Sequence, residues 1–126
     1  MVRVRGLDHV VLRVADVERS LTWYCDELGC APERVDEWRA GKIFFPSVRV
    51  DATTVIDLLQ APRADANVDH VCLVIEPEDL QALKDSGRFD VVDGPDTRWG
   101  AQGNGTSLYV RDPDGNVVEL RHYDGS

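Results

Sequence analysis

The sequence has few cysteines, no long hydrophobic run and a shortage of basic residues. The three cysteines are Cys25, Cys30 and Cys72. Their number is odd and no C-x-x-C spacing occurs, which favours reduced thiols over a disulfide framework or a zinc knuckle. Cys72 lies within a strand pattern and is predicted to be a small core residue.

The other two shortages restrict location and partners. No apolar segment approaches the roughly 20 residues of a membrane-spanning helix, and the first residues lack a signal-peptide pattern, so the sequence predicts a cytoplasmic protein. Asp and Glu number 23 against 14 Lys and Arg, for a net charge of −9. That balance disfavours nucleic acids and anionic membranes, which bind through Lys and Arg.

What the sequence does contain is an internal repeat. Residues 7–14 read L-D-H-V-V-L-R-V and residues 68–75 read V-D-H-V-C-L-V-I, so His9 and His70 match at an offset of 70 − 9 = 61. The segment V-I-D-L around Asp57 matches V-V-E-L around Glu119, with 119 − 57 = 62. Each half of the chain therefore opens a strand on a histidine and closes one on a carboxylate, and such a repeat predicts two equivalent modules.

The first half reads as strand, helix and three strands. Period-two alternation predicts a strand over 7–14, and a helix follows with Asp16 as its N-cap and Gly29 at its C-terminal end. Shorter strands are predicted around 31–38, 42–50 and 53–60, joined by turns.

The second half repeats this order. A strand over 69–75 leads to a helix over 77–84 that Gly87 ends, and a further strand begins at 91–92. Residues 93–106 are predicted to be a glycine-rich connection, and 107–111 and 116–123 a hairpin around the turn 112–115. The sequence thus predicts an α+β fold of two βαβββ modules in a single domain, 1–126. Module one spans about 5–61, a linker about 62–67, and module two about 68–124.

The repeated polar residues predict a metal site. Alternation places His9, Asp57, His70 and Glu119 on the strand faces opposite the helices, within a shared concavity if the sheets curl. Two imidazoles with one or two carboxylates suit a divalent transition metal that keeps open positions for substrate. Taken singly, each of these residues has a structural interpretation, such as a carboxylate that pairs with Arg13 or Arg121. His122 falls on the face opposite Glu119 and is interpreted as structural or exposed.

These residues carry a resemblance to a known family. Leu7-Asp8-His9-Val10, the helix end Leu28-Gly29, the second Asp69-His70, and the run from Arg111 through Asp112-Pro113-Asp114-Gly115-Asn116 to Glu119-Leu120 resemble the vicinal oxygen chelate superfamily. That superfamily includes glyoxalase I, extradiol dioxygenases, methylmalonyl-CoA epimerase, and fosfomycin- and bleomycin-resistance proteins. The segment 100–109 looks most like its small glyoxalase-domain-containing protein 5 branch.

The resemblance implies roles for the repeated residues. His9, His70 and Glu119 match the three metal ligands common to the family's enzymes, and Asp57 matches the position where glyoxalase I has a fourth ligand, a glutamate. Aspartate is one methylene shorter, so direct ligation, ligation through water and action as a base all stay open. The resemblance also implies a homodimer, with sites formed within one chain or across two.

Further residues are candidates for a substrate pocket. Trp38, Phe44 and Trp99 lie on segments predicted to rim the concavity, or they belong to the core. Arg111 is predicted to meet an anionic substrate or to pair with an acid. Tyr109 is predicted to donate a hydrogen bond to a metal-bound oxygen, or to pack across the sheet.

The leading hypothesis is a metal-dependent lyase or isomerase acting on a small substrate that chelates through adjacent oxygens. A bound iron, manganese, nickel or zinc ion would stabilise an enolate-like state while Glu119 or Asp57 transfers a proton. The first alternative is a ring-cleaving dioxygenase of the extradiol type. The second is a metal-free protein that sequesters a drug, as bleomycin-resistance proteins do.

Overall fold

The computed structural model describes residues 1–113 and 115–124. Over these residues the chain forms eight strands and three α-helices, which confirms the predicted α+β class. In chain order they are β1 (Val4–Val14), α1 (Val17–Thr22), β2 (Ala31–Glu33), α2 (Val35–Arg39), β3 (Ser47–Arg49), β4 (Val55–Gln60), β5 (Val68–Ile75), α3 (Leu80–Asp85), β6 (Asp90–Gly100), β7 (Gly103–Arg111) and β8 (Val117–His122). A π-helical turn, Trp23–Glu27, follows α1 directly. None of the helices in the described ranges is both long and apolar enough to cross a membrane.

The chain divides into two compact units. Unit one is His9–Asp69, and unit two combines Met1–Asp8 with the residues from His70 onward. Strand β1 begins in unit two and continues in unit one.

Unit one contains strands in the order β2-β3-β4-β1. Strand β1 runs parallel to β4, and β3 is antiparallel to both β4 and β2. Helix α1 covers this sheet with Val17 and Leu21, which pack in one cluster with Val48 and Leu58. The predicted N-cap is confirmed, because the Asp16 carboxylate accepts a hydrogen bond of 3.1 Å from the backbone N–H of Arg19.

Unit two has the matching order β5-β8-β7-β6. Strand β5 is parallel to β8, which pairs antiparallel with β7, and β7 with β6. Helix α3 contributes Leu80 and Leu83 to a core cluster completed by Ile75, Leu108, Val110 and Leu120. The Asp79 carboxylate caps α3 by accepting from the Ala82 N–H at 3.0 Å. The prediction of strand, helix and three strands in each half is therefore confirmed.

Three predicted boundaries in these units were wrong. The strand predicted over 31–38 ends at Glu33 and is followed by α2, because Val35 and Trp38 lie one helical turn apart and both pack on the unit-one core. The strand predicted over 42–50 contracts to Ser47–Arg49. Helix α3 begins at Leu80, after Pro77 and Glu78, because Asp79 supplies its cap.

The largest correction concerns residues 93–106, which were predicted to be a connection. They form most of β6 and the start of β7, a long antiparallel hairpin with bulges near Asp93 and Asp96. Its glycines mark close backbone approaches: a Cβ on Gly94 would lie 2.6 Å from the Ser107 carbonyl, and one on Gly105 would lie 2.7 Å from the His122 carbonyl. In the predicted turn 112–115, Asp114 lies outside the described residues.

Candidate metal site

In unit two, His70 and Glu119 lie together. Strand β5 runs parallel to β8 with Cys72 opposite Glu119, and alternation puts His70 on the same face as Cys72. The His70 Nε2 is 3.1 Å from the Glu119 Oε1. The other oxygen, Oε2, accepts a hydrogen bond of 2.7 Å from the Ser107 hydroxyl on β7. Glu119 is completely buried.

Arg121 provides the positive charge next to this carboxylate. Its Nη2 and Nε donate to the Glu119 Oε2 at 2.7 and 3.2 Å. Its Nη2 also donates to the Trp99 carbonyl, and its Nη1 to the Tyr123 hydroxyl, each at 3.1 Å. Arg121 is as deeply buried as Glu119, so two opposite charges compensate each other inside unit two.

A second carboxylate terminates this chain of hydrogen bonds. The Tyr123 hydroxyl donates to Asp8 Oδ1, and Asp8 Oδ2 accepts from the Ala101 N–H at 3.0 Å. Asp8 is fully buried and directly precedes His9 in the sequence. This series of hydrogen bonds therefore runs from Asp8 through Tyr123 and Arg121 to Glu119.

The buried environment shifts the pKa of three side chains in unit two. Burial and the hydrogen bond to Asp8 raise the pKa of Tyr123 to about 12. Burial alone would lower the pKa of Arg121, but the negative charge of Glu119 outweighs it and holds that pKa above its usual value. Burial, and then the charge of Glu119 and a hydrogen bond to it, raise the pKa of Tyr109 well above its usual value. Both tyrosines are therefore protonated donors at neutral pH.

Tyr109 is also close to the histidine. Its ring lies edge to face with the His70 ring, with 5.5 Å between centroids. On β7 it pairs directly with Glu119. The ring therefore packs on His70, while the hydroxyl is hydrogen-bonded to Glu119. Donation to a metal-bound oxygen stays a prediction.

In unit one, His9 and Asp57 form the corresponding pair. The His9 Nε2 is 3.7 Å from the Asp57 Oδ2, and the Asp57 Oδ1 accepts a hydrogen bond of 2.5 Å from the Ser47 hydroxyl. All three residues are buried. Ser47 lies directly opposite Asp57 in the β3–β4 register. Each unit therefore contains a histidine, a carboxylate and a serine that donates to the carboxylate.

The predicted pocket residues occupy varied positions. Trp38 lies on α2 and packs against the unit-one core, and Phe44 precedes β3 with 90% of its surface exposed. Trp99 is half-buried on β6, where its carbonyl accepts from Arg121. Arg111 is exposed on β7 and pairs with Asp90 at 3.4 Å. Their role in substrate binding stays a prediction.

Sequence reasoning overlooked the serines, Asp8 and Tyr123. The two serines stand at an offset of 107 − 47 = 60, close to the offsets of the histidines and the carboxylates, and that near-coincidence was the available signal. The contact between Asp8 and Tyr123 spans 123 − 8 = 115 positions and has no local signature.

The donor atoms of each pair can be compared with metal geometry. Two ligand atoms that each lie about 2.1 Å from one metal ion at angles of about 90° to 110° are about 3.0 to 3.4 Å apart. The separation of 3.1 Å between His70 Nε2 and Glu119 Oε1 fits this range. The 3.7 Å between His9 Nε2 and Asp57 Oδ2 exceeds it, in line with the shorter aspartate side chain.

Comparison with known proteins places the chain in a family. The model of the Glyoxalase/Bleomycin resistance protein/Dioxygenase superfamily matches residues 6–120. A glyoxalase domain-containing protein of Mycosarcoma maydis is 30% identical over 95% of this chain and 69% of its own length. A probable lactoylglutathione lyase of Synechocystis is 29% identical over 89% of this chain and 91% of its own length.

A solved structure agrees in fold. The Mn(II)-bound glyoxalase from Novosphingobium aromaticivorans superimposes with a TM-score of 0.71 at 21% identity, over 97% of this chain and 40% of that one. The family model covers nearly the whole chain, including His9, His70 and Glu119. The protein therefore belongs to the Glyoxalase/Bleomycin resistance protein/Dioxygenase superfamily, which is the vicinal oxygen chelate superfamily.

Proposed function

We propose that this protein is a divalent-metal-dependent enzyme of the lyase or isomerase type, acting on a small substrate that chelates the metal through two adjacent oxygens. One observation carries the proposal: a histidine beside a buried carboxylate, which accepts a hydrogen bond from a buried serine hydroxyl, recurs in both units. Buried ionisable groups are expensive unless they are paired or bind an ion, so their recurrence argues for a function.

His9, His70 and Glu119 are the proposed metal ligands, with Asp57 as a fourth ligand or a base. This set of nitrogen and oxygen donors suits iron, manganese, nickel or zinc. When bound, the metal would supply Lewis acidity toward the substrate oxygens. The 3.7 Å separation from His9 Nε2 favours Asp57 as the base rather than as a direct ligand.

The chain's own residues would then orient the substrate and move its proton. The Asp57 carboxylate keeps Oδ1 on Ser47, which leaves Oδ2 as the oxygen that takes a proton from the carbon beside the substrate carbonyl. Tyr109 keeps its proton at neutral pH and would donate a hydrogen bond to a substrate oxygen. Trp38, Phe44, Trp99 and Arg111 stay as the proposed pocket residues.

The named relatives support this choice of chemistry. The Synechocystis protein is described as a probable lactoylglutathione lyase, and the Novosphingobium glyoxalase was solved with Mn(II). A lyase or isomerase needs one base and one charge-stabilising centre, and the proposal assigns the first role to Asp57 and the second to the metal site of His9, His70 and Glu119.

The test is metal analysis of untagged protein purified without chelator, beside His70→Ala and the matched control His122→Ala. We expect about one transition-metal ion per chain in the wild type and in the control, and its loss in His70→Ala. Absence of metal from the wild type, even after incubation with manganese, iron(II), nickel and zinc salts, would contradict the proposal and favour metal-free ligand sequestration.

Activity then separates the enzyme classes. Oxygen uptake with a catechol by the iron(II)-loaded protein would identify the ring-cleaving dioxygenase instead. Exchange of the proton beside a carbonyl, followed by NMR with a 2-oxo aldehyde adduct or a 2-oxo thioester, would support the lyase or isomerase. Asp57→Asn is expected to lose this exchange while it retains metal.

Two predictions about context stay part of the proposal. A homodimer is expected, and light scattering coupled to size-exclusion chromatography measures its mass. A cytoplasmic location is expected as well, and cell fractionation tests it.

A further inference from the structure

We propose that Arg121 is a positioning residue that, with Ser107, makes Glu119 a one-oxygen ligand with Oε1 directed at His70. This inference rests on the proposed metal site and concerns how its carboxylate is held. It assigns a role to the most deeply buried cation of unit two.

The two oxygens of Glu119 have different partners. Oε2 accepts from Arg121 Nη2 at 2.7 Å, from Arg121 Nε at 3.2 Å and from the Ser107 hydroxyl at 2.7 Å. A carboxylate oxygen has about two lone-pair sites, so these donors occupy Oε2 fully. Oε1 lies 3.1 Å from His70 Nε2, so it is the oxygen that faces the histidine.

Arg121 is itself fixed in place. Besides Glu119 it donates to the Trp99 carbonyl and to the Tyr123 hydroxyl, each at 3.1 Å, and it is fully buried. Tyr123 is in turn hydrogen-bonded to Asp8. A planar guanidinium with partners on every nitrogen has one available orientation, so it determines the orientation of the carboxylate it binds.

The absence of a side chain at Gly100 lets the Arg121 guanidinium pack directly against the backbone of β6. A Cβ on Gly100 would overlap the Arg121 Nη1 and lie 2.6 Å from the Asp8 Oδ2. The guanidinium therefore fits against a glycine of β6. In unit one the position matching Arg121 is Leu59, at the same offset of 121 − 59 = 62 as the two acids. An arginine that binds the carboxylate is therefore a feature of unit two and not of the matching position in unit one.

The test compares Arg121→Lys, Ser107→Ala and the matched control Arg39→Lys. Lysine keeps the positive charge but lacks the planar guanidinium with its several N–H donors. The variant therefore retains the repulsion between residue 121 and a metal ion but no longer fixes the orientation of the Glu119 carboxylate. Arg39 also donates through its Nε and Nη2 to a glutamate, with one hydrogen bond to each oxygen of Glu18 at 2.8 and 3.0 Å, on the surface of unit one. The readouts are Mn²⁺ affinity, measured by electron paramagnetic resonance titration, and crystal structures of the metal-free wild type and variants.

We expect Arg121→Lys and Ser107→Ala each to bind Mn²⁺ about 10-fold more weakly, as is usual when the partner of a metal ligand is removed, and Arg39→Lys to match the wild type. The crystal structures should show the Glu119 carboxylate rotated away from His70 in Arg121→Lys. Unchanged affinity together with an unmoved carboxylate would overturn the inference.

Failure of the proposed function gives a different result. If the wild type itself binds no Mn²⁺, the metal site is refuted, and the metal-free structures still decide whether Arg121 positions Glu119. If Arg121→Lys does not fold, Ser107→Ala decides, because it removes one neutral donor and leaves the buried ion pair intact.

Discussion

Unit one and unit two hold the same kind of carboxylate in different ways. Asp57 accepts from Ser47 and lies 3.7 Å from His9. Glu119 accepts from Ser107 and from the Nη2 and Nε of Arg121, and it lies 3.1 Å from His70. The repeat therefore preserved the histidine, the acid and the serine, while the surroundings of the two acids diverged.

This difference suggests a division of labour. A carboxylate with one oxygen saturated and a buried cation beside it is held rigidly, as a metal ligand needs to be. A shorter carboxylate farther from its histidine is better suited to exchange a proton. This division of labour predicts different effects for variants of the two units.

The largest effect is expected from neutralising the two acids separately. Glu119→Gln should weaken Mn²⁺ binding by about 100-fold or more and lower the free energy of unfolding by about 3 kcal/mol, because it leaves Arg121 buried beside a neutral group. Asp57→Asn should weaken Mn²⁺ binding by about 10-fold or less. Calorimetric titration and urea denaturation measure both quantities, and equal losses in the two variants would refute the division.

Gly100→Ala tests the support of Glu119 from the opposite side. The new Cβ would displace the Arg121 guanidinium and approach the Asp8 carboxylate, so a loss of about 2 to 3 kcal/mol of unfolding free energy is expected. Gly6→Ala is the control, since a Cβ there meets nothing within 4 Å. Urea denaturation compares the two, and a Gly100→Ala protein as stable as its control would show that Arg121 can relocate freely.

Tyr123 links stability to alkaline pH. Its pKa is raised to about 12 in the folded protein, from about 10 in the unfolded chain. The unfolded state loses this proton first as the pH rises. The protonated Tyr123 hydroxyl therefore contributes its full stabilisation of the folded state below pH 10, and about 2 kcal/mol of that stabilisation is lost as the pH rises toward 12. Tyr123→Phe should lower stability at pH 7 by about 1 to 2 kcal/mol and should flatten this alkaline decline.

Denaturation of wild type and Tyr123→Phe at several pH values between 8 and 12 measures that slope. Tyr109 also has a raised pKa and adds its own alkaline decline, so Tyr109→Phe is the matched comparison. Identical slopes in the wild type and Tyr123→Phe would contradict the assignment.

The smallest effect is expected where the two units are alike. Asp16 and Asp79 cap α1 and α3 with hydrogen bonds of 3.1 and 3.0 Å. Asp16→Ala and Asp79→Ala should each lower the free energy of unfolding by about 1 kcal/mol, because each removes a helix N-cap. Thermal unfolding of both variants checks this, and a difference larger than about 1 kcal/mol between them would mean that one unit dominates the stability of the chain.

Much of this organisation was readable from the sequence. The near-constant offset of the histidines and the acids, together with strand alternation, predicted two modules of strand, helix and three strands. Asp16 marked the start of α1, and Gly29 marked the end of the π-helical turn that follows it. These features are local or periodic, so a single sequence carries them. The same repeat and motifs carried the family resemblance, which the family model confirmed.

Tertiary structure decided the rest. The hairpin β6–β7 was not predicted because its glycines resemble those of a loop. They are instead required by the close approach of backbone atoms from neighbouring strands, such as the Ser107 carbonyl beside Gly94. The support of Glu119 was equally hidden, since Asp8 and Tyr123 lie far apart in the sequence and meet only when β1 and the segment after β8 fold into one unit. A sequence specifies which residues repeat, whereas burial and long-range contact determine which of the repeated acids acquires a buried arginine.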